Sequence, residues 1–213
     1  MQSATQKQPT KIKLPRGYFS WSQLDLIEHN ENEYIKKYIL GHEREASKEQ
    51  EFGKSFASIL EGTEETDDEI VKLVKATIPK LGHPETELRA VLRSKGKEVE
   101  LFGKLDDCDE MLANFLEYKT GKWAWTQRKA EHHGQLLFYK VMIWLIKNKI
   151  PNSTLIWAET ENYEEDSIVL TGRIEPFEVK HELKDILMMS ARIMRGAERA
   201  SQLYQEEIDN TFN

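Results

Sequence analysis

The chain has 213 residues, 39% of them hydrophobic and 31% charged, with a formal net charge of −7 at pH 7. That length favours one domain, or one domain with decorations, and the composition suits a globular protein with a wet surface. No run approaches the roughly 18 apolar residues that span a bilayer, and the N-terminus is polar, without an apolar leader segment. A cytoplasmic chain with no membrane association is therefore expected. The single cysteine, Cys108, excludes an internal disulfide and any four-cysteine zinc or iron–sulfur site, and reads as a buried thiol.

Residues 1 to about 16 are polar and basic without periodicity, and read as a flexible tail ahead of a single domain over 17–213. Apolar residues at helical spacing predict a helix from about Trp21 to Leu40. A second helix is expected over Glu49–Glu61, stopped by Gly62. A third, short one has an acidic first turn at Asp67, Asp68 and Glu69. After Pro84 the texture changes to alternation. Glu87–Arg93 and Glu98–Phe102 predict a hairpin across Ser94–Lys97, the second strand reaching Asp107. Ala113–Thr120 is a further strand, followed by one long helix over Gln127–Lys149 whose second half is apolar almost all round. Strands near Ser153–Glu159 and Ser167–Ile174 precede a last helix from about Pro176 to Glu207. This order predicts an α/β fold with a mixed central sheet flanked by helices.

Charge is unevenly placed. The acidic total disfavours tight, non-specific coating of nucleic acid, but phosphate contacts depend on local cations rather than on the sum. Lys119, Lys122, Arg128 and Lys129 lie close together, away from the acidic stretch Glu64–Glu69.

The chemistry concentrates at Asp106, Glu117 and Lys119. Side chains alternate across a strand, so Glu117 and Lys119 share one face and Tyr118 takes the other. A turn after Asp106 would lay its strand beside theirs. Two carboxylates so placed repel unless a cation lies between them, and Mg²⁺ takes one or two carboxylates while keeping waters. Such an ion polarises a phosphoryl oxygen and lowers the pKa of bound water. A lysine two residues from a ligand can orient that water and offset phosphate charge. A Glu-x-Lys pair alone is ordinary on a surface strand. Here the pair interrupts an apolar segment that leads directly into a buried helix.

Further motifs stand in order around this set. They are Ser20-Trp-Ser-Gln-Leu24, Glu51-Phe-Gly-Lys-Ser-Phe-Ala-Ser-Ile-Leu60, Gly103-Lys-Leu-Asp106, Glu117-Tyr-Lys-Thr-Gly121 and Gln135-Leu-Leu-Phe-Tyr139. Over about residues 18–145 the chain resembles the PD-(D/E)XK nuclease superfamily, in its RecB-like branch with phage-type (RecE-like) exonucleases. The resemblance implies a restriction-endonuclease-like fold and a Mg²⁺- or Mn²⁺-dependent deoxyribonuclease. It implies metal ligation by Asp106, Glu117 and the Tyr118 backbone carbonyl, with Lys119 catalytic. Gln135 and Tyr139, one helical turn apart, would contact DNA or brace the site. Lys122, Arg128 and His132 are expected to line the DNA groove, His132 from the Gln135/Tyr139 face.

Where many relatives carry a metal-binding histidine, this chain has Ala57. Glu61, one turn on, could reach towards the metal instead, which leaves a second metal position in doubt. The four cysteines of the cluster-bearing relatives are missing. An exonuclease of recombination, repair or phage DNA replication is expected, in a bacterial or phage-infected cytoplasm. A partner protein of those processes would fit the same picture. A structure-specific endonuclease and a catalytically silent DNA-binding module of the same fold are the alternatives. The intact charged triplet argues against the silent module, since unpaired buried charges are costly. Ile186, Leu187, Met189, Ile193 and Met194 form an apolar stripe on the last helix. Such stripes are usually core, although a homo-oligomer is compatible with it.

Overall fold

A computed structural model describes residues 8–43, 45–163 and 167–212. Six strands form one mixed sheet: β1 (Thr10–Lys11), β2 (His83–Ser94), β3 (Lys97–Cys108), β4 (Asn114–Gly121), β5 (Asn152–Tyr163) and β6 (Ser167–Val179). The order is β1-β3-β4-β5-β6, with β2 on the other edge of β3. The helices are α1 (Trp21–His29), α2 (Glu31–Tyr34), α3 (Lys48–Glu61), α4 (Glu69–Thr77), α5 (Gln127–Glu131), α6 (Gly134–Lys147) and α7 (Leu183–Phe212). A π-helical turn, Ile35–Ile39, extends α2. This is the restriction-endonuclease-like α/β architecture expected from the sequence. Among the described residues, no helix is long and apolar enough to cross a membrane.

Alternation along the strands makes two cores, one on each face of the sheet. Phe115, Leu155 and Trp157 join a large core with α1, α6 and α7. Their neighbours Leu116, Ile156 and Ala158 join a smaller core with α3 and α4. The pair β4–β5 is parallel, so α5 and α6 form its crossover. The hairpin β2–β3 turns through Lys95 and Gly96, both at positive φ (48° and 74°), the conformation of a type I′ two-residue turn.

Several boundaries differ from the sequence reading. The tail assignment fails beyond residue 8: β1 pairs with β3, and Ile12 and Leu14 are buried in the large core. Residues 1–7 lie outside the described residues. The first helix breaks at Asn30, whose side chain accepts from Glu33 N (3.1 Å) and starts a new helix. The helix expected over Gln127–Lys149 breaks at His132–His133. There Gly134 meets Trp21 so closely that a Cβ would lie 2.2 Å from the indole. The last helix starts at Leu183, because Phe177 and Val179 continue the inward alternation of β6. Pro176 is tolerated within this strand because, among the described residues, β6 pairs only with β5.

Candidate active site

The strands β3 and β4 are hydrogen-bonded only at their turn end, over Asp107↔Leu116 and Cys108↔Phe115. Beyond that the two splay apart, and the freed edge of β3 pairs with Phe19 and β1. The cleft opens at this split. Leu105 and Cys108, three residues apart, both enter the large core, so the alternation of β3 slips once between them. Asp106 is thereby turned to the face that carries Glu117. Opposite this slip in β2, Glu85 adopts a left-handed φ of 55°, a strained conformation for a non-glycine residue.

Asp106 Oδ2 accepts from Tyr118 N at 2.6 Å, bridging the split. Lys119 Nζ donates to Glu117 Oε1 (2.5 Å) and to Gln135 Oε1 (3.0 Å), and Gln135 Nε2 donates to Tyr139 Oη (2.9 Å). A polar chain therefore runs from Glu117 through Lys119 to α6. Tyr139 lies against Gly103, where a Cβ would come within 2.7 Å of its ring. The glycine of the Gly103-Lys-Leu-Asp106 motif thus admits the tyrosine that braces the lysine.

Glu117 is 1% exposed, and its Oε2 has no hydrogen-bond partner among the described residues. Burial pushes its carboxyl up, against the opposing pull of the Lys119 ammonium. Burial and the Glu117 charge push Asp106 up to about 8, although Tyr118 N–H and Lys119 oppose this. Burial works to discharge Lys119, but the Glu117 and Asp106 carboxylates outweigh it and raise its pKa. The site thus holds one fixed cation and two carboxyls that resist ionising together. An orphaned buried carboxylate oxygen on Glu117, the Asp106 carboxyl near enough to feel its charge, and the Tyr118 backbone carbonyl are oxygen donors of the kind that suits Mg²⁺ or Mn²⁺.

Glu61 is near enough for its charge to raise Asp106 further. It lines a separate pocket of about 200 Å³ with Lys75, Lys80, Asp106 and Tyr118. Among the described residues, no three His, Cys, Asp or Glu side chains gather at metal-holding spacing. Asp107, next to Asp106, is used differently. Its carboxylate accepts from Leu81 N (2.7 Å) and His83 N (3.0 Å), holding the loop before β2.

The cleft itself has a volume of about 990 Å³. Asp106, Glu117, Tyr118, Lys119 and Gln135 line its base, with Ala57 and Gly53 of α3 on one side. Its outer walls carry Asp25, Glu33, Glu43 and Glu45, and three cations, Arg16, Lys37 and Lys54. The last of the expected groove residues fall differently. Tyr139 is buried, which leaves bracing rather than surface contact as its role. Lys122 and Arg128 are exposed, on the segment that follows β4. His132 is exposed but leaves the Gln135/Tyr139 face, because the helix break makes it the end of α5, bonded to Arg128 O at 2.7 Å.

His133 is the residue that sequence reasoning passed over. It sits against Trp125 (5.2 Å between ring centres) and Trp21 (6.4 Å), and its Nδ1 is buried without a partner among the described residues. Burial and the charges of Lys119 and Lys129 hold its pKa down at about 4, so it stays neutral. Gly134 after the paired histidines was the available signal, since glycine inside an apolar helical pattern often marks a close approach.

No protein-family model matches the chain, and no curated protein matches it. Among solved structures, the crystal structure of a "putative exonuclease" from Eubacterium rectale aligns with a TM-score of 0.61 at 14% identity, over 89% of this chain and 83% of that one. The crystal structure of SSO0001 aligns at a TM-score of 0.48 and 18% identity, over 94% and 79% of the two chains, too loosely to carry an argument. At these identities the likeness is one of fold alone, a mixed α/β sheet flanked by helices.

Proposed function

We propose that the chain is a metal-dependent deoxyribonuclease of the PD-(D/E)XK type, in the RecB-like and phage-type branch, that hydrolyses phosphodiester bonds of DNA as an exonuclease. The supporting observation is the buried Oε2 of Glu117, without a partner among the described residues, in a cleft that Asp106 also lines. A structural role leaves such an oxygen uncompensated, whereas a ligand role uses it. Asp106, Glu117 and the Tyr118 carbonyl would hold Mg²⁺ or Mn²⁺. When bound, such an ion polarises the phosphoryl oxygen and makes its water acidic.

The chain's own residues supply the rest. The Tyr118 amide fixes the rotamer of Asp106. Gln135, steadied by Tyr139, holds the Lys119 ammonium beside Glu117, where it lies ready to orient the attacking water and to offset charge growing on the phosphate. Recombination, repair or phage DNA replication are the settings that such an activity would serve.

The test uses end-labelled linear DNA beside closed circular DNA, with Mg²⁺, with Mn²⁺ and with EDTA. Metal-dependent loss of the linear substrate alone supports the exonuclease, and cutting of the circle indicates an endonuclease. Binding without cleavage under either metal identifies a silent module. Lys119→Ala should lower cleavage by at least about a hundredfold, the scale on which a lost electrostatic or proton-handling group is felt. Unchanged cleavage in that variant would place the activity elsewhere.

A further inference from the structure

We infer that the cleft takes single-stranded DNA, with an unpaired base stacked on Trp123 and the flanking phosphates held by Lys122, Arg128 and Lys129. The inference rests on the nuclease reading above and adds the strandedness of its substrate.

Three observations carry it. The first is Trp123 itself, 83% exposed, the most exposed large hydrophobic side chain among the described residues. The other tryptophans near the cleft are engaged. Trp21 covers Gly134, Trp157 donates to Gly121 O (3.1 Å), and Trp125 packs on His133 with the Lys129 ammonium 4.2 Å above its ring. Trp123 lies between the last strand residues of the site and Trp125, three positions past Thr120, which lines the cleft. A flat aromatic face held in water on a chain otherwise able to bury its rings is a platform for another flat face. Every base has one, but only an unpaired or terminal base can present it.

The second observation is charge. Lys122, Arg128 and Lys129 are all exposed on the same stretch of chain as Trp123, and none forms an ion pair among the described residues. In a chain with a net charge of −7, a run of unpaired cations interleaved with two tryptophans matches a strand that alternates phosphates and bases.

The third observation is the shape and polarity of the cleft. At about 990 Å³ it lies at the upper end of the range for small-ligand sites, ~300–1,000 Å³, room for a few nucleotides of one strand. Its described outer walls bear four carboxylates against three cations. A duplex would have to bring its second phosphate backbone against those carboxylates, and like charge disfavours that approach. The segment that leaves the cleft after Thr120 is basic and aromatic, the described walls are acidic on balance, and a single strand satisfies both.

Binding is measured in EDTA by anisotropy of a short fluorescein-labelled oligodeoxynucleotide, as a single strand and as a blunt duplex. The single strand is expected to bind at least about tenfold more tightly. Trp123→Ala should weaken single-strand binding by roughly ten- to a hundredfold, the range of base–aromatic stacking, and Trp123→Phe should retain most of it. The melting temperature of Trp123→Ala should match the parent, since the residue is 83% exposed. Equal or tighter duplex binding, or an undiminished Trp123→Ala, would overturn the inference. Because no metal is present, failure of the nuclease reading shows separately: single strands are bound through Trp123 but remain uncut with Mg²⁺ or Mn²⁺.

Discussion

Asp106 shows what the surrounding protein does to a single side chain. Its ordinary pKa of 3.8 is pushed up to about 8, so the folded chain binds a proton there that the unfolded chain releases. Between about pH 4 and pH 8 this group therefore makes the metal-free protein less stable as pH rises. Asp106→Asn removes the charge and keeps an oxygen for Tyr118 N. We expect it to raise the melting temperature of the metal-free protein at pH 8 while abolishing cleavage, read by thermal denaturation beside a nuclease assay. A fall in melting temperature would show that the carboxylate is structural. The same proton must leave when a metal binds. Mn²⁺ affinity, followed calorimetrically, should rise by about tenfold per pH unit up to about pH 8 and then level off. Tyr139→Phe loses the hydroxyl that steadies Gln135 and should cost about 0.5–1.5 kcal/mol in denaturant unfolding. Gly103→Ala drives a methyl into the Tyr139 ring and should cost more, about 1–3 kcal/mol.

Among elements, legibility followed locality. The Asp106, Glu117 and Lys119 set could be read because strand alternation and one turn are short-range rules, and α3 ended where Gly62 allows a left-handed cap (φ 85°). The break at Asn30 is a local cap on Glu33 N inside an apolar helical pattern, whereas the break at His132–His133 could not be read the same way. It answers to a partner distant in the chain, Trp21 lying on Gly134. That miss carried His132 to the wrong face and hid His133. The slip of β3 at Asp106 was equally invisible, because it depends on the pairing with β2. Gly134→Ala tests the helix break directly. With 2.2 Å between the new Cβ and the indole, Trp21 must move. Unfolding free energy should fall by about 1–3 kcal/mol despite the better helix propensity of alanine. An increase would mean that the break comes from the histidines rather than from the packing.

At the scale of the whole molecule, charge is segregated rather than abundant. With a net charge of −7 and the proposed phosphate contacts confined to Lys122, Arg128 and Lys129, binding to a single strand should involve few phosphates. A slope of log K against log salt of about −2 to −3 is expected, from ~0.7 per neutralised phosphate on three or four contacts. A much steeper slope would require a larger basic surface than the one around Trp123. The long α7 closes the other side. Arg192 pairs with Glu28, and Arg199 Nε donates to Glu31 (2.7 Å), tying α7 to the first helices. Partly exposed pairs of this kind contribute little each, so the apolar stripe through Ile186, Met189 and Ile193 does most of the holding.

The split between β3 and β4 has a dynamic consequence. Where the ladder ends, the Tyr118 amide has traded a backbone carbonyl for the carboxylate of Asp106. Its protection from solvent hydrogen exchange therefore depends on a side chain that titrates and that would also serve a metal. One backbone amide at the centre of the sheet becomes a spectroscopic reporter of the site's ionisation, readable residue by residue without any substrate. Its neighbours in the β4–β5 ladder, bonded only to backbone, provide the internal reference.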